Sequence, residues 1–170
     1  MRQPLPWIFV CYVSVFCSGQ SAMAQSNYSL RSPDQRIEVR VRATDRISYD
    51  VLLKGVVLLQ NSTLSININH VKLGTQPRVR AAKQRSENRE IISPAPQKSA
   101  RIRDHYNELR LEMEGDYAVV FRAFNEGVAY RFETSLAANE AKVYSEEVRW
   151  NFAGDYNVYY PKEDSFFSHN

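Results

Sequence analysis

Two cysteines, six glycines and seven prolines are few for 170 residues, and each shortage excludes something. Both cysteines, Cys11 and Cys17, fall in the amino-terminal stretch. The chain after them has no disulfide framework and no thiol chemistry, so a domain built from it depends on its core. No glycine-rich phosphate loop, Gly-x-Ser-x-Gly elbow or His-Glu-x-x-His zinc helix is present. The three histidines, His70, His105 and His169, are far apart in sequence and offer no chelating pair. Charge of one sign is also lacking: the formal net charge is +3, too balanced to argue for a nucleic-acid partner. The segment from Lys72 to Arg110 is richer in base, but Glu87, Glu90, Asp104 and Glu108 are interspersed there, and it reads as a solvated face.

The apolar run from Leu5 to Cys17 is short of the roughly 18 residues of a membrane span. Arg2 precedes it and Ala22-Met23-Ala24 follows, the pattern of a signal peptide rather than an anchor. Residues 1–24 are therefore expected to be cleaved, leaving residues 25–170 as one secreted domain with no membrane attachment. The lack of disulfides favours a bacterial periplasm. At the other end, Phe166-Phe167-Ser168-His169-Asn170 reads as an interrupted sequence, the alternative being a natural terminus docked by the two rings.

Most of the remaining pattern has a period of two. Ile37, Val39 and Val41 alternate with charged residues behind a Ser32-Pro33-Asp34-Gln35 turn. Tyr49, Val51 and Leu53 alternate next, and Lys54-Gly55 offers a reversal into the apolar run Val56 to Leu59, a hairpin. Leu64, Ile66 and Ile68 form a further alternating set. From Gly74 to Ile102 the period is lost and three prolines intervene. This predicts a long connection with one or two short edge strands and a turn of helix within residues 81–90. Leu109 to Met113, Val119 to Ala123 and Val128 to Phe132 then alternate across Gly115-Asp116 and Asn125-Glu126-Gly127, a three-strand meander. Val143 to Phe152 and Tyr156 to Tyr160 read as two more strands. The fold class is all-β, an antiparallel β-sandwich.

Candidate chemistry is sparse. Glu146 and Glu147 are adjacent, but neighbours on a strand point to opposite faces, so they cannot converge on one glycosidic bond. Glu126 sits in a hairpin loop, and Asp34 and Asp116 suit turns. Aromatics gather late, at Trp150, Phe152, Tyr156, Tyr159, Tyr160, Phe166 and Phe167. They suit core or interdomain packing first and stacking on sugar rings second.

The run Tyr106-Asn107-Glu108-Leu109-Arg110-Leu111-Glu112 and the string Phe121-Arg122-Ala123-Phe124-Asn125-Glu126-Gly127-Val128-Ala129-Tyr130-Arg131-Phe132 resemble the amino-terminal domain of family 97 glycoside hydrolases. Ser32-Pro33-Asp34 and the tail from Tyr160-Pro161 to Ser168-His169 are similar to the same domain. The resemblance implies a super-sandwich, incomplete at its carboxy-terminal side. It packs on a (β/α)8 barrel that carries the catalytic carboxylates, and this chain lacks that barrel. It also implies α-linked oligosaccharide substrates, glucosides or galactosides, and calcium in the full-length parent, none being expected in the fragment alone. Of the metal ligands, Glu163 is the candidate in this chain, or else a carboxylate beyond Asn170. No catalytic residue is expected here. The rival expectation is a free-standing periplasmic carbohydrate-binding module using the aromatics from Trp150 to Phe167.

Overall fold

The computed structural model describes residues 27–92, 101–135 and 140–159. Ten strands follow in order: β1 Asn27–Arg31, β2 Ile37–Ala43, β3 Ile47–Leu53, β4 Val56–Ile68, β5 Val71–Leu73, β6 Val79–Ile92, β7 Arg101–Met113, β8 Tyr117–Phe124, β9 Val128–Thr134 and β10 Val143–Arg149. All pair antiparallel, β1-β2-β3-β4-β10 with β5 beside β4 in one sheet and β6-β7-β8-β9 in the other. The proposed leader, the cysteines and the segment beginning at Tyr160 lie outside the described residues.

Each sheet turns its apolar alternation inward, as a face-to-face sandwich requires. Val39, Val41, Ile47, Tyr49 and Leu64 of the first sheet meet Leu109, Leu111, Met113, Val119 and Phe121 of the second. The Tyr49 and Phe121 rings cross the interface 5.7 Å apart, tilted. The expected meander is present as β7-β8-β9. The Lys54-Gly55 hairpin forms as the sequence suggests, with φ of 50° and 84° at its two turn residues. Both lie in the left-handed region that a tight primed turn needs.

The structure departs from the sequence pattern in four places. In β3 the register against β4 shifts around Val51, and Asn61 opposite takes φ 52°. This bulge puts Leu52, not Leu53, into the core. It is pinned electrostatically: Asp50 Oδ1 accepts from the Asn61 backbone N–H at 2.7 Å, and Arg42 grips both Asp50 oxygens at 2.6 and 2.7 Å. The two sets Val56–Leu59 and Leu64–Ile68 are one continuous bent strand, β4.

The stretch expected to be a connection with a helical turn is instead β6, fourteen residues long. Its Ala, Lys, Gln, Arg and Glu have respectable helix propensity, but pairing along the whole of β7 outweighs it. Pairing between β7 and β8 ends at Tyr106 opposite Phe124, whereas β6 continues to Ile92 opposite Arg101. A two-stranded ribbon thus projects past the sheet. Finally, Tyr156–Tyr159 is not a strand. Asn151 and Ala153 bond to β4 at Gln60 and Leu58, and the chain bends at Ala153-Gly154. β1 and β5 each bury a single side chain, so neither has an alternation that marks it in the sequence.

Candidate functional site

Two of the motifs that carried the family resemblance, Ser32-Pro33-Asp34 and the string around Asn125, meet across the sandwich. Ser32, fully buried, closes its own turn: its oxygen accepts from the Ile37 N–H at 3.0 Å and its hydroxyl donates to Asp34 Oδ1 at 2.6 Å. This exposes the Asp34 N–H, which donates to Asn125 Oδ1 in the β8–β9 hairpin at 3.0 Å. Arg36 donates to the Asn125 carbonyl at 3.3 Å. The Ser32 hydroxyl, together with Arg36, holds the Asp34 carboxyl down at about 2. Each motif reads separately as a local turn, and nothing in either one signals that they touch.

Beside this junction the sandwich opens into a cavity of about 770 Å³. One wall is Tyr49, Val51, Leu52 and Leu59 from β3 and β4, and the other is Phe121, Val128 and Tyr130 from β8 and β9. Arg36, Asn125 and Glu126 form a polar corner, and Trp150, 63% exposed, stands at the rim. Burial raises the Tyr49 phenol pKa, and the Trp150 indole N–H opposes that. Tyr130 donates to Glu146 Oε1 at 2.7 Å, fastening β9 to β10. Its pKa is raised by burial first and then by that carboxylate.

The carboxylates named from sequence do not come together. Glu146 takes the Tyr130 hydroxyl, while Glu147 turns to the other side of β10 and pairs with Lys72 at 3.2 Å and Arg149 at 3.1 Å. Glu126 is exposed at the cavity rim, and Asp116 occupies a left-handed turn position. Every described Asp or Glu with a resolved shift is shifted downward, including Glu38, Asp50, Glu112 and Glu133, in each case chiefly by a hydrogen bond from a basic side chain except at Asp34, where Ser32 leads. A general acid needs the opposite shift.

Glu108 is the most enclosed of them, 5% exposed. Arg85 donates to it at 2.6 and 3.1 Å and Arg122 at 2.7 Å, which holds its carboxyl at about 2 against the cost of burial. Arg122 also lies 4.1 Å over the Tyr106 ring. The basic stretch seen in the sequence is thus largely matched by its own acids: Lys83 with Glu112, Arg85 with Glu108, Arg89 with Asp104 and Arg101 with Glu90. His70 stacks on Tyr144 at 4.0 Å, and His105 lies opposite Asn88 in the ribbon.

Of the late aromatics, Trp150, Phe152, Tyr156 and Tyr159 are exposed, while Tyr160, Phe166 and Phe167 lie outside the described residues. The Phe152 and Tyr156 rings meet edge-on at 6.4 Å rather than forming a flat platform. Glu163, the calcium-ligand candidate, also lies outside the described residues. Among those described, no three His, Cys, Asp or Glu side chains gather as a metal site.

A family model described as glycosyl-hydrolase 97 N-terminal matches residues 30–170. A retaining alpha-galactosidase of Bacteroides thetaiotaomicron is 33% identical over 129 residues, covering 75% of this chain and 19% of the relative. A glycoside hydrolase family 97 enzyme from Pseudoalteromonas sp. strain K8, solved in complex with acarbose, superposes with a TM-score of 0.61 at 23% identity, over 71% of this chain and 20% of that one. A beta-arabinopyranosidase superposes with a TM-score of 0.66 at 20% identity, over 74% and 21%. The chain thus spans about a fifth of the length of these relatives. With the family model covering most of the sequence and the sandwich shared, this chain belongs to the glycosyl-hydrolase 97 N-terminal family.

Proposed function

We propose that this chain is the amino-terminal sandwich of a secreted α-glycosidase, supporting the catalytic barrel and the rim of its carbohydrate site without being catalytic alone. The observation that carries this reading is the divergence of Glu146 and Glu147, set within a described carboxylate set whose resolved shifts all run downward. Glycoside hydrolysis needs two carboxyl groups facing one bond, one of them holding a proton. The named relatives, an alpha-galactosidase and a family 97 enzyme binding acarbose, support α-linked oligosaccharides as the substrate of the whole polypeptide. In this reading calcium belongs to the full-length enzyme, and Glu163 is the oxygen ligand this domain contributes. Residues 1–24 direct export to a bacterial periplasm.

The test is hydrolysis of aryl α-glucoside and α-galactoside by the purified chain. No turnover is expected, and measurable turnover overturns the reading. A second reading, a free-standing carbohydrate-binding module, is favoured by the exposed Trp150 beside a cavity. Calorimetric titration with maltooligosaccharides separates the two, because a module binds and a scaffold does not. The cavity walls favour the scaffold: they are mainly apolar, with the charged and amide groups confined to the corner at Arg36, Asn125 and Glu126, whereas a sugar needs polar groups distributed around its ring.

A further inference from the structure

Strand β1 has β2 on one side and, among the described residues, no strand on the other. Which of its backbone groups face that free edge follows from the turn next to it. The Ser32 N–H donates to the Ile37 carbonyl at 2.9 Å, and residues alternate between bonded and unbonded along an antiparallel pair. Leu30 and Tyr28 therefore face β2 as Ser32 does, and the backbone groups of Ser29 and Arg31 point outward. Such a row of groups is a template for a further strand.

Charge on an edge strand discourages that pairing. β6, at the edge of the other sheet, carries Lys83, Arg85 and Arg89. β1 has one charged residue, Arg31, and its guanidinium is turned back to Glu38 on β2 at 3.4 Å. The β1 edge is met instead from the opposite sheet. The Gln84 side-chain amide on β6 donates to the Ser29 carbonyl at 2.9 Å, and that of Asn107 on β7 donates to the Arg31 carbonyl at 2.8 Å. Both amides come from the inward face of their sheet: Gln84 lies opposite buried Leu109, and Asn107 precedes Leu109 by two residues. Along β7 that face runs Met113, Leu111, Leu109 and then Asn107, so it changes from core residue to amide where it reaches β1. A strand added to β1 would lie about 4.8 Å from it and would need the two carbonyls that these side chains already occupy.

From the alternation and these two bonds we infer that Gln84 and Asn107 close the β1 edge to strand addition, and that without them a second copy of this chain pairs there, β1 on β1. The pair is antiparallel about a two-fold axis, with Ser29 opposite Ser29, because that arrangement uses the same edge of both copies. Both bonds are exposed to solvent, so their loss alters association far more than folding. The inference stands whether or not the barrel reading holds.

Cross-linking and sedimentation of the full 170-residue chain test it. Gln84→Met with Asn107→Leu keeps side-chain bulk and removes both donors. The chains with and without this pair of changes are compared at equal concentration, each also carrying Ser29→Cys, Cys11→Ser and Cys17→Ser so that a bismaleimide reports on β1 alone. The donor-free chain should give at least a tenfold higher yield of cross-linked dimer, and its dimer fraction should rise with concentration while its urea midpoint stays near that of the control. Should it misfold, Gln84→Met and Asn107→Leu separately repeat the comparison, each with at least a threefold higher yield than the control. Equal yields overturn the inference, and so does association that leaves Ser29→Cys unlinked. A lowered urea midpoint with no rise in dimer gives the two amides a packing role only, and overturns it as well.

Discussion

Strand β8 has both faces covered: Val119, Phe121 and Ala123 point into the sandwich, while Ala118 and Val120 are buried beneath the charged side chains of the outer face. Strand β6 lies in the same sheet on the far side of β7 and is exposed along nearly all its length. The difference shows that one sheet can hold its strands by two means. β8 is secured by apolar area removed from water, whereas β6 is secured by a backbone ladder and by ion pairs laid across it to β7.

Truncating one apolar side chain in each strand gives the widest separation between them. Phe121→Ala empties a fully buried site and should cost about 4 kcal/mol, read as a lowered urea midpoint. Ile91→Ala, on the projecting ribbon, should cost less than about 0.5 kcal/mol. A comparable loss at Ile91 breaks the comparison, because it means that the ribbon packs against something that secures it.

The same contrast explains what was legible beforehand. Strands with one buried face declared themselves by alternation: Ile37 to Val41, Leu109 to Met113 and Val128 to Phe132 all lie where the period of two puts them. β6 buries almost no side chain, so no hydrophobic period exists in its sequence, and the stretch reads as a connection with short edge strands and a turn of helix. At Leu52 the period misled for a different reason. The bulge depends on Asp50, Asn61 and Arg42, which are far apart in sequence and declare nothing singly. The site was legible only in pieces. Both turns, at Ser32 to Gln35 and at Asn125 to Gly127, were visible, whereas Trp150 stood out only as one of the late aromatics, expected first to pack, and its exposure of 63% was not legible. Their convergence on one cavity is a property of register between two sheets, which no local pattern encodes.

Glu108 on β7 joins the two kinds of strand, since Arg85 comes from β6 and Arg122 from β8. Glu108→Gln keeps an acceptor but loses the charge that both guanidinium groups face, and should cost about 2 kcal/mol at pH 7. The pH dependence has a definite sign. A carboxyl held at about 2 in the folded chain against 4.5 ordinarily contributes stability above pH 4.5, and that contribution is lost as pH falls towards 2. The deficit of Glu108→Gln should therefore be constant from pH 7 to 5 and shrink below 4.5. Asp34 titrates in the same window, so the difference between the two proteins, rather than the native curve alone, is the measurement. A deficit that grows on acidification would place the stabilising charge elsewhere.

The smallest effect belongs to the ribbon's own ion pairs. Arg89 meets Asp104 at 2.9 Å with more than half of the arginine side chain in water, so screening and side-chain entropy leave little net gain. Asp104→Ala should shift stability by no more than about 0.5 kcal/mol, and less at high salt. Hydrogen exchange sharpens the point, because amides that open locally do so without global unfolding. The backbone N–H groups of residues 88–92 should exchange rapidly in both native and variant chains, while those of Val119 to Phe121 exchange only with the whole domain. Should Asp104→Ala speed exchange as far back as Val79, the ion pairs and not the backbone ladder would be what holds β6 to the sheet.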